Sequence, residues 1–179
     1  ALVGLVLVTG LVAYHLLTSV SKSDSTVYLY IDDDDTQDRV LVKLQPLSST
    51  AGLTSLSALL RHSDYNEHVR SGRYAIEPGD GPITVFRRLK NGQQSSVNLT
   101  IPEVRTMDRL AAVLGQKLML DSATIADALY SEETCQQYSY DTTTIAAMFV
   151  PNTYDVYWNM SVDKLLERMQ KEHDHFWEG

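Results

Sequence analysis

Cysteine is almost missing: Cys135 is the only one in 179 residues. A lone thiol excludes an internal disulfide and any cysteine-built metal cage. It fits a reducing compartment and a disulfide-free periplasmic protein equally well. Positive charge is also scarce, with 15 Lys and Arg against 23 Asp and Glu, a net charge of −8. Nucleic-acid binding requires a cationic footprint, and electrostatic attachment to a membrane surface requires basic clusters; the balance argues against both. No Gly-rich phosphate loop and no Ser-His-Asp arrangement is present, and nothing in the chain asks for a cofactor.

Metal-binding patterns are missing as well. Asp32 to Asp35 puts four carboxylates in a row, but a calcium loop needs alternating oxygen ligands, a central Gly and a distant Glu. The run reads as a solvated turn, with an Asp or Thr36 capping the next helix. His173 and His175 are two positions apart, which on a helix aims them about 200° from each other, so they cannot share an ion. His62 and His68 stand apart from any ligand pattern. No residue is expected to bind metal.

One absence becomes a feature. Ala1 to Leu17 contains no charged residue, and the first formal charge is Lys22. At about 1.5 Å per residue the run spans ~25 Å, close to the ~30 Å hydrocarbon core. Residues 1–18 read as a membrane helix clipped at its cytoplasmic end, with Tyr14 and His15 near the outer interface. A signal-peptide core is the rival, but no small-x-small cleavage site follows. Residues 19–25 read as a polar linker.

Thr26 to Ile31, rich in β-branched and aromatic residues, reads as a strand. Gln37 to Gln45 and Ser48 to Arg61 carry leucines and valines at helical spacing. A strand over Gly72 to Ile76, a Pro78–Gly81 turn and a helix from Pro82 to Lys90 follow. Val97 to Ile101 is the next strand. It leads into helices over Thr106 to Gln116 and Ser122 to Tyr130, started by Thr106 and Asp121. A last helix opens at Ser161, with Val162, Leu165, Leu166 and Met169 as its apolar stripe, and ends in an exposed Phe176-Trp177 pair that a following domain is expected to cover.

The densest signal is Phe149-Val150-Pro151-Asn152-Thr153-Tyr154-Asp155-Val156-Tyr157-Trp158. Pro151 fixes its own φ and pushes Val150 toward extended backbone, and Asn152 and Thr153 favour a turn. The aromatic rings suit either a plug beneath a loop or the wall of a half-wet groove. Asn152, Thr153 and Tyr154 are the candidate ligand-binding residues, because an amide and two hydroxyls beside a ring match sugar chemistry.

Several stretches, in order, resemble one family. Val97-Asn98-Leu99-Thr100-Ile101-Pro102-Glu103 with Thr106 resembles its "strand, IPEG-x-T, helix" entry. Gly72-Arg73-Tyr74 resembles its "GRY" strand, and Pro151-Asn152-Thr153-Tyr154 its "PDTY" segment, in a form associated with Bacteroidetes members. The chain is thereby similar, over Val27 to Trp177, to the YceG-like family of membrane-anchored endolytic murein transglycosylases. A strand running into two short helices also resembles a LysM-like sugar-binding module. The implied architecture is α+β: the membrane helix, a small α/β subdomain over 26–96, a LysM-like subdomain over 97–141, and the beginning of a YceG-like catalytic domain over 142–179.

The resemblance implies cleavage of peptidoglycan glycan strands to 1,6-anhydro-muramyl ends, with the substrate's own 6-hydroxyl as nucleophile and a Glu as general acid. It implies an inner-membrane protein with most of its chain in the periplasm, and peptidoglycan synthases as partners. The family's acid lies in a segment resembling "ASIVE-x-E-T", which is missing; in family order it falls beyond Gly179. No catalytic residue is assigned. Glu103, Glu132, Glu133, Glu167 and Glu172 are poor substitutes by position, Ile145-Ala146-Ala147 stands where relatives read Leu-Glu-Gly, and Asn152 replaces the Asp. The alternative is a non-catalytic, membrane-tethered peptidoglycan-binding or scaffold protein.

Overall fold

Leu29 and Ile31 turn inward from the alternating run Val-Tyr-Leu-Tyr-Ile, which forms β1 (Val27–Ile31). The computed structural model describes Gly10 and residues 18–178. The membrane helix expected over 1–18 therefore lies outside the described residues, Gly10 and Thr18 apart. Among the described residues no helix is long and apolar enough to cross a membrane. The chain is mixed α and β and divides into two units, Ala1–Ser95 and Ser96–Gly179.

In the first unit β1 pairs antiparallel with β2 (Gly72–Ile76), placing Leu29 opposite Tyr74. Between the strands run α1 (Gln37–Leu44), α2 (Thr50–Arg61) and a 3-10 turn (Asp64–Glu67), and α3 (Pro82–Lys90) follows β2. Thr36 starts α1 by accepting a hydrogen bond from the Arg39 amide at 3.4 Å, and Ser49 starts α2 by accepting from Gly52 at 3.1 Å. Leu44, Leu56, Leu60, Tyr65 and Leu89 close the core over the inner face of the sheet.

The acidic run is not wholly solvated. The Asp35 carboxylate is buried, accepts from the Asp32 amide at 2.8 Å and pairs with Lys43, which also reaches Asp32 at 2.6 Å. Burial works against the charged form of Asp35. Lys43 and the Asp32 amide outweigh it and hold the carboxyl below its usual range. Nor are residues 19–25 simply a linker. Val20 is fully buried, donates to the Asp80 carbonyl at 2.7 Å and accepts from the Ser49 amide at 2.8 Å.

The second unit pairs β3 (Val97–Ile101) antiparallel with β4 (Asn152–Val156), with Leu99 opposite Tyr154. Between them lie α4 (Met107–Gly115), α5 (Ser122–Tyr130), α6 (Glu132–Gln137) and a 3-10 turn (Ile145–Met148). The long α7 (Val162–Glu178) follows β4. Thr106 and Asp121 accept from Arg109 and Thr124 at 3.3 and 2.7 Å, starting α4 and α5. Glu132 and Glu133 form the first turn of α6. Ser131 caps it, and the two carboxylates lie where the helix dipole favours negative charge. The Pro-Asn-Thr-Tyr segment, expected as a turn, enters a strand, because β3 supplies main-chain partners and Thr100 bonds Thr153 at 2.9 Å. Since β4 lies beyond residue 141, this pairing makes 97–141 and 142–179 parts of one unit.

The two units share one order, strand, helices, a 3-10 turn, strand, helix, with two helices between the strands in the first and three in the second. The sequence repeats with it. Val27, Leu29, Ile31, Thr36, Asp38, Arg39 and Leu44 recur at one constant spacing as Val97, Leu99, Ile101, Thr106, Asp108, Arg109 and Leu114. Tyr74, Val85 and Leu89 likewise fall on Tyr154, Leu165 and Met169 at a second constant spacing. All the apolar members of these pairs are buried except Val27 and Val97, which are half-buried. The repeat therefore keeps the packing face and the first-helix cap, and places the length changes in the middle and at the end of the last helix.

Candidate functional site

Pro102 ends β3 by removing a backbone donor, and Thr106 restarts the chain as α4. The intervening loop faces the segment between the second 3-10 turn and β4. That 3-10 turn is set by Asp141, whose carboxylate accepts from the amides of Thr143 and Thr144 at 2.8 and 2.9 Å. The Thr143 and Thr144 hydroxyls and amides hold the Asp141 carboxyl down to about 2. The third wall is the end of α7, where Phe176 and Trp177 meet edge-on at 5.2 Å.

These three segments enclose a groove of about 310 Å³. Pro102, Glu103 and Val104 form one side, Ala146, Ala147, Phe149, Val150 and Pro151 the floor and far side, and Phe176 and Trp177 the rim. Phe149 is buried, whereas Phe176 is 58% and Trp177 72% exposed. An aromatic pair so open to water at the edge of a concavity offers flat faces for a ligand. His173 joins Trp177 at 6.3 Å and Tyr140 at 6.2 Å, extending the aromatic edge along α7.

None of Asn152, Thr153 and Tyr154 lines this groove. Asn152 and Thr153 are exposed at the head of β4, directly after Pro151. The Asn152 side-chain oxygen is engaged locally, accepting from the Thr153 amide at 2.8 Å. Tyr154 is 5% exposed and sits in the core, and its hydroxyl donates to the Val150 carbonyl at 2.7 Å. Burial, and then the nearby Glu172 charge, push the Tyr154 phenol up. Its ring therefore supports the groove floor from below. The sequence signal for the rim was the Phe-Trp pair at the end of an amphipathic helix; Glu103 and Val104 had only their place after a strand.

A second, more open concavity of about 520 Å³ runs along α7 beside Tyr138, Glu167, Lys171, Asp174, His175 and Glu178. It is a charged helix face rather than an enclosed site. The carboxyls that leave their ordinary range, Asp35, Asp64, Asp121 and Asp141, all shift down. Lys90 does this to Asp64, and the Thr124 amide and hydroxyl to Asp121. A general acid for glycoside cleavage requires a shift upward.

A two-unit α+β chain with an aromatic-rimmed groove in its second unit is the class defined here. The YceG-like family matches residues 29–179, and the chain belongs to that family. Among solved structures, a YceG-like protein from Listeria monocytogenes shares 14% identity with it, over 85% of this chain and 55% of that one, at a TM-score of 0.42. The chain thus spans little more than half the length of that protein. No curated protein matches it.

Proposed function

We propose that the intact protein is a membrane-anchored endolytic peptidoglycan transglycosylase, and that the described residues form its glycan-holding part. The match to the YceG-like family over residues 29–179 carries this reading. Residues 1–18 anchor it in the inner membrane and the remainder lies in the periplasm, within reach of peptidoglycan synthases. The strand passes the exposed Asn152–Thr153 edge of β4, where an amide and a hydroxyl can match sugar hydroxyls. The general acid comes from a segment following residue 179. The muramyl 6-hydroxyl attacks the anomeric carbon as that acid protonates the departing glycosidic oxygen, and the carboxylate so formed takes up the hydroxyl's proton, so the anhydro ring closes without water.

Full-length protein incubated with purified murein should release 1,6-anhydro-muropeptides, detected by mass spectrometry. Residues 24–179 alone should release none. A full-length protein that binds murein but never cleaves it would favour the second reading, a tethered glycan-binding scaffold.

A further inference from the structure

Residues 19–22 are built into the first unit more firmly than a flexible connection requires. Val20 is fully buried; its amide donates to the Asp80 carbonyl at 2.7 Å, and its carbonyl accepts from the Ser49 amide at 2.8 Å. The neighbouring residues are held as well. The Ser19 carbonyl accepts from the Ser49 hydroxyl at 2.7 Å, and the Ser19 hydroxyl accepts from the Gly79 amide at 3.2 Å. The Lys22 amide donates to the Leu47 carbonyl at 3.2 Å. The entering chain is thereby clamped between two turns, one over residues 45–48 and the other over 77–80.

Both turns end in small uncharged tips. Pro46 is exposed and Leu47 half-buried, and Pro78 and Gly79 are exposed. Gly79 has φ +85°, and nothing lies within 4 Å of where its Cβ would be, so this turn stands clear of the unit. Asp80 is already paired with Arg88 at 2.5 Å. The exposed charges beside the tips are Lys22 against Asp24 and Glu77, a balance that offers no attraction to an anionic surface. Length decides what the tips meet. The charge-free run ends at Leu17, two residues before Ser19. Two residues reach at most ~7 Å, and the headgroup layer on each side of the hydrocarbon is about 5–8 Å deep. A unit clamped at Ser19 therefore cannot stand off from a membrane that the run spans.

Resting on the membrane-anchor reading above, we propose that the first unit is seated on the bilayer surface as a rigid continuation of its anchor, with the Pro46–Leu47 and Pro78–Gly79 tips in the phospholipid headgroup layer. The prolyl and leucyl carbons face the glycerol level, and the Lys22 stem lets its ammonium reach a phosphate. The surface selects no particular headgroup, because the short tether holds it there rather than affinity. The clamp thus fixes which face of the first unit looks away from the membrane, an orientation that a free linker would leave open.

Full-length protein reconstituted in phosphatidylcholine vesicles tests this, with Cys135→Ser as background and a fluorophore attached at Leu47→Cys, Pro78→Cys or Asn91→Cys. Asn91 is exposed at the far end of α3. Phosphatidylcholine spin-labelled on its headgroup should cut emission about twofold or more at positions 47 and 78, which lie in the layer, and barely at 91, a helix length of ~13 Å further away. About six Gly and Ser residues inserted between Thr18 and Ser19 add roughly 12–15 Å of slack and leave the clamp intact. Quenching at 47 and 78 should then be lost at unchanged melting temperature. Unquenched labels at 47 and 78, equal quenching at all three positions, or quenching that survives the insertion would overturn the proposal. So would a seat that forms only when phosphatidylglycerol is added, since charge would then hold it. Vesicle flotation is scored separately: a protein that floats with unquenched labels loses the seat and keeps the anchor, and one that does not float loses both.

Discussion

Tyr74 and Tyr154 hold one position in the two units. Each is the middle residue of its unit's second strand, each faces a buried leucine across the sheet, and each hydroxyl donates to the carbonyl four residues earlier. Tyr74 reaches Arg70 at 2.9 Å and Tyr154 reaches Val150 at 2.7 Å. The bond pins the chain entering the strand to the core that the strand covers. In the second unit that entering chain is the groove floor, so a core tyrosine sets the shape of a surface site.

Removing either hydroxyl should cost stability first. Tyr74→Phe and Tyr154→Phe each leave a carbonyl without its partner and should lower unfolding free energy by about 0.5–1.5 kcal/mol in urea titrations. Tyr65→Phe should differ. The Tyr65 hydroxyl is fully buried and finds no side-chain or backbone acceptor among the described residues. Its loss should be neutral or stabilising. A drop for Tyr65→Phe as large as for Tyr74→Phe would refute this account of the first core.

The same phenols set an alkaline limit. Burial raises Tyr74 to about 12, and raises Tyr65 further still. In the unfolded chain both ionise near their ordinary value of about 10. Between these limits the unfolded state gives up protons that the folded state keeps. Stability is therefore fully present below pH ~10 and falls as pH rises toward 12. Chemical denaturation at pH 8 to 11.5 should show this slope, and Tyr65→Phe should flatten it.

Asp35 sets the acid side. Its folded carboxyl lies below 3.8, so its contribution is present above that value and lost as pH falls beneath it. Asp35→Asn at pH 7 should destabilise by about 1–3 kcal/mol, since it weakens the hold on Lys43 and on the Asp32 amide. The difference between mutant and parent should shrink toward pH 3. A constant difference across that range would mean that charge plays no part.

How far the sequence carries depends on the range of the forces involved. Helix starts at Thr36, Thr106 and Asp121 are set by bonds spanning three residues, and they were readable directly. The pairing of Val97–Ile101 with Asn152–Val156 depends on contacts more than fifty positions apart. Read alone, Pro151-Asn152-Thr153 therefore looks like a turn. The internal repeat escaped for a related reason: its identities are sparse and the intervening segments differ in length. Tyr154, chosen for its chemistry, is claimed by packing. Phe176 and Trp177 stood out because no local rule explains two exposed rings on an amphipathic helix.

Packing near residue 20 yields another expectation. A Cβ on Gly52 would lie 2.6 Å from both the Ser19 carbonyl oxygen and Val20 Cα, which are backbone atoms with little room to move. Gly52→Ala would ordinarily favour a helix by ~1 kcal/mol. In this position it should instead destabilise by about 1–3 kcal/mol through overpacking. Proteolysis between residues 18 and 25 should quicken in the variant, because the displaced segment is the one that Ser49 and Asp80 hold.

Asn152 separates a ligand-binding role for the head of β4 from a structural one. Its side chain is exposed and accepts a local bond from the next amide, so Asn152→Ala should change unfolding free energy by less than about 0.5 kcal/mol. If that edge carries the glycan, the same substitution in the full-length protein should lower murein turnover roughly five- to tenfold, the loss of about one hydrogen bond to a sugar hydroxyl. Thr153→Val is the companion variant. It removes the hydroxyl that bonds Thr100 yet keeps the branched shape that suits a strand. Turnover should fall there as well, with the melting temperature nearly unchanged. Tyr154→Phe should show the opposite balance, losing stability while the remaining folded protein turns over murein at close to the parent rate. If Asn152→Ala and Thr153→Val lose activity only in proportion to their unfolded fraction, the glycan does not pass this edge, and the head of β4 serves only to carry the groove.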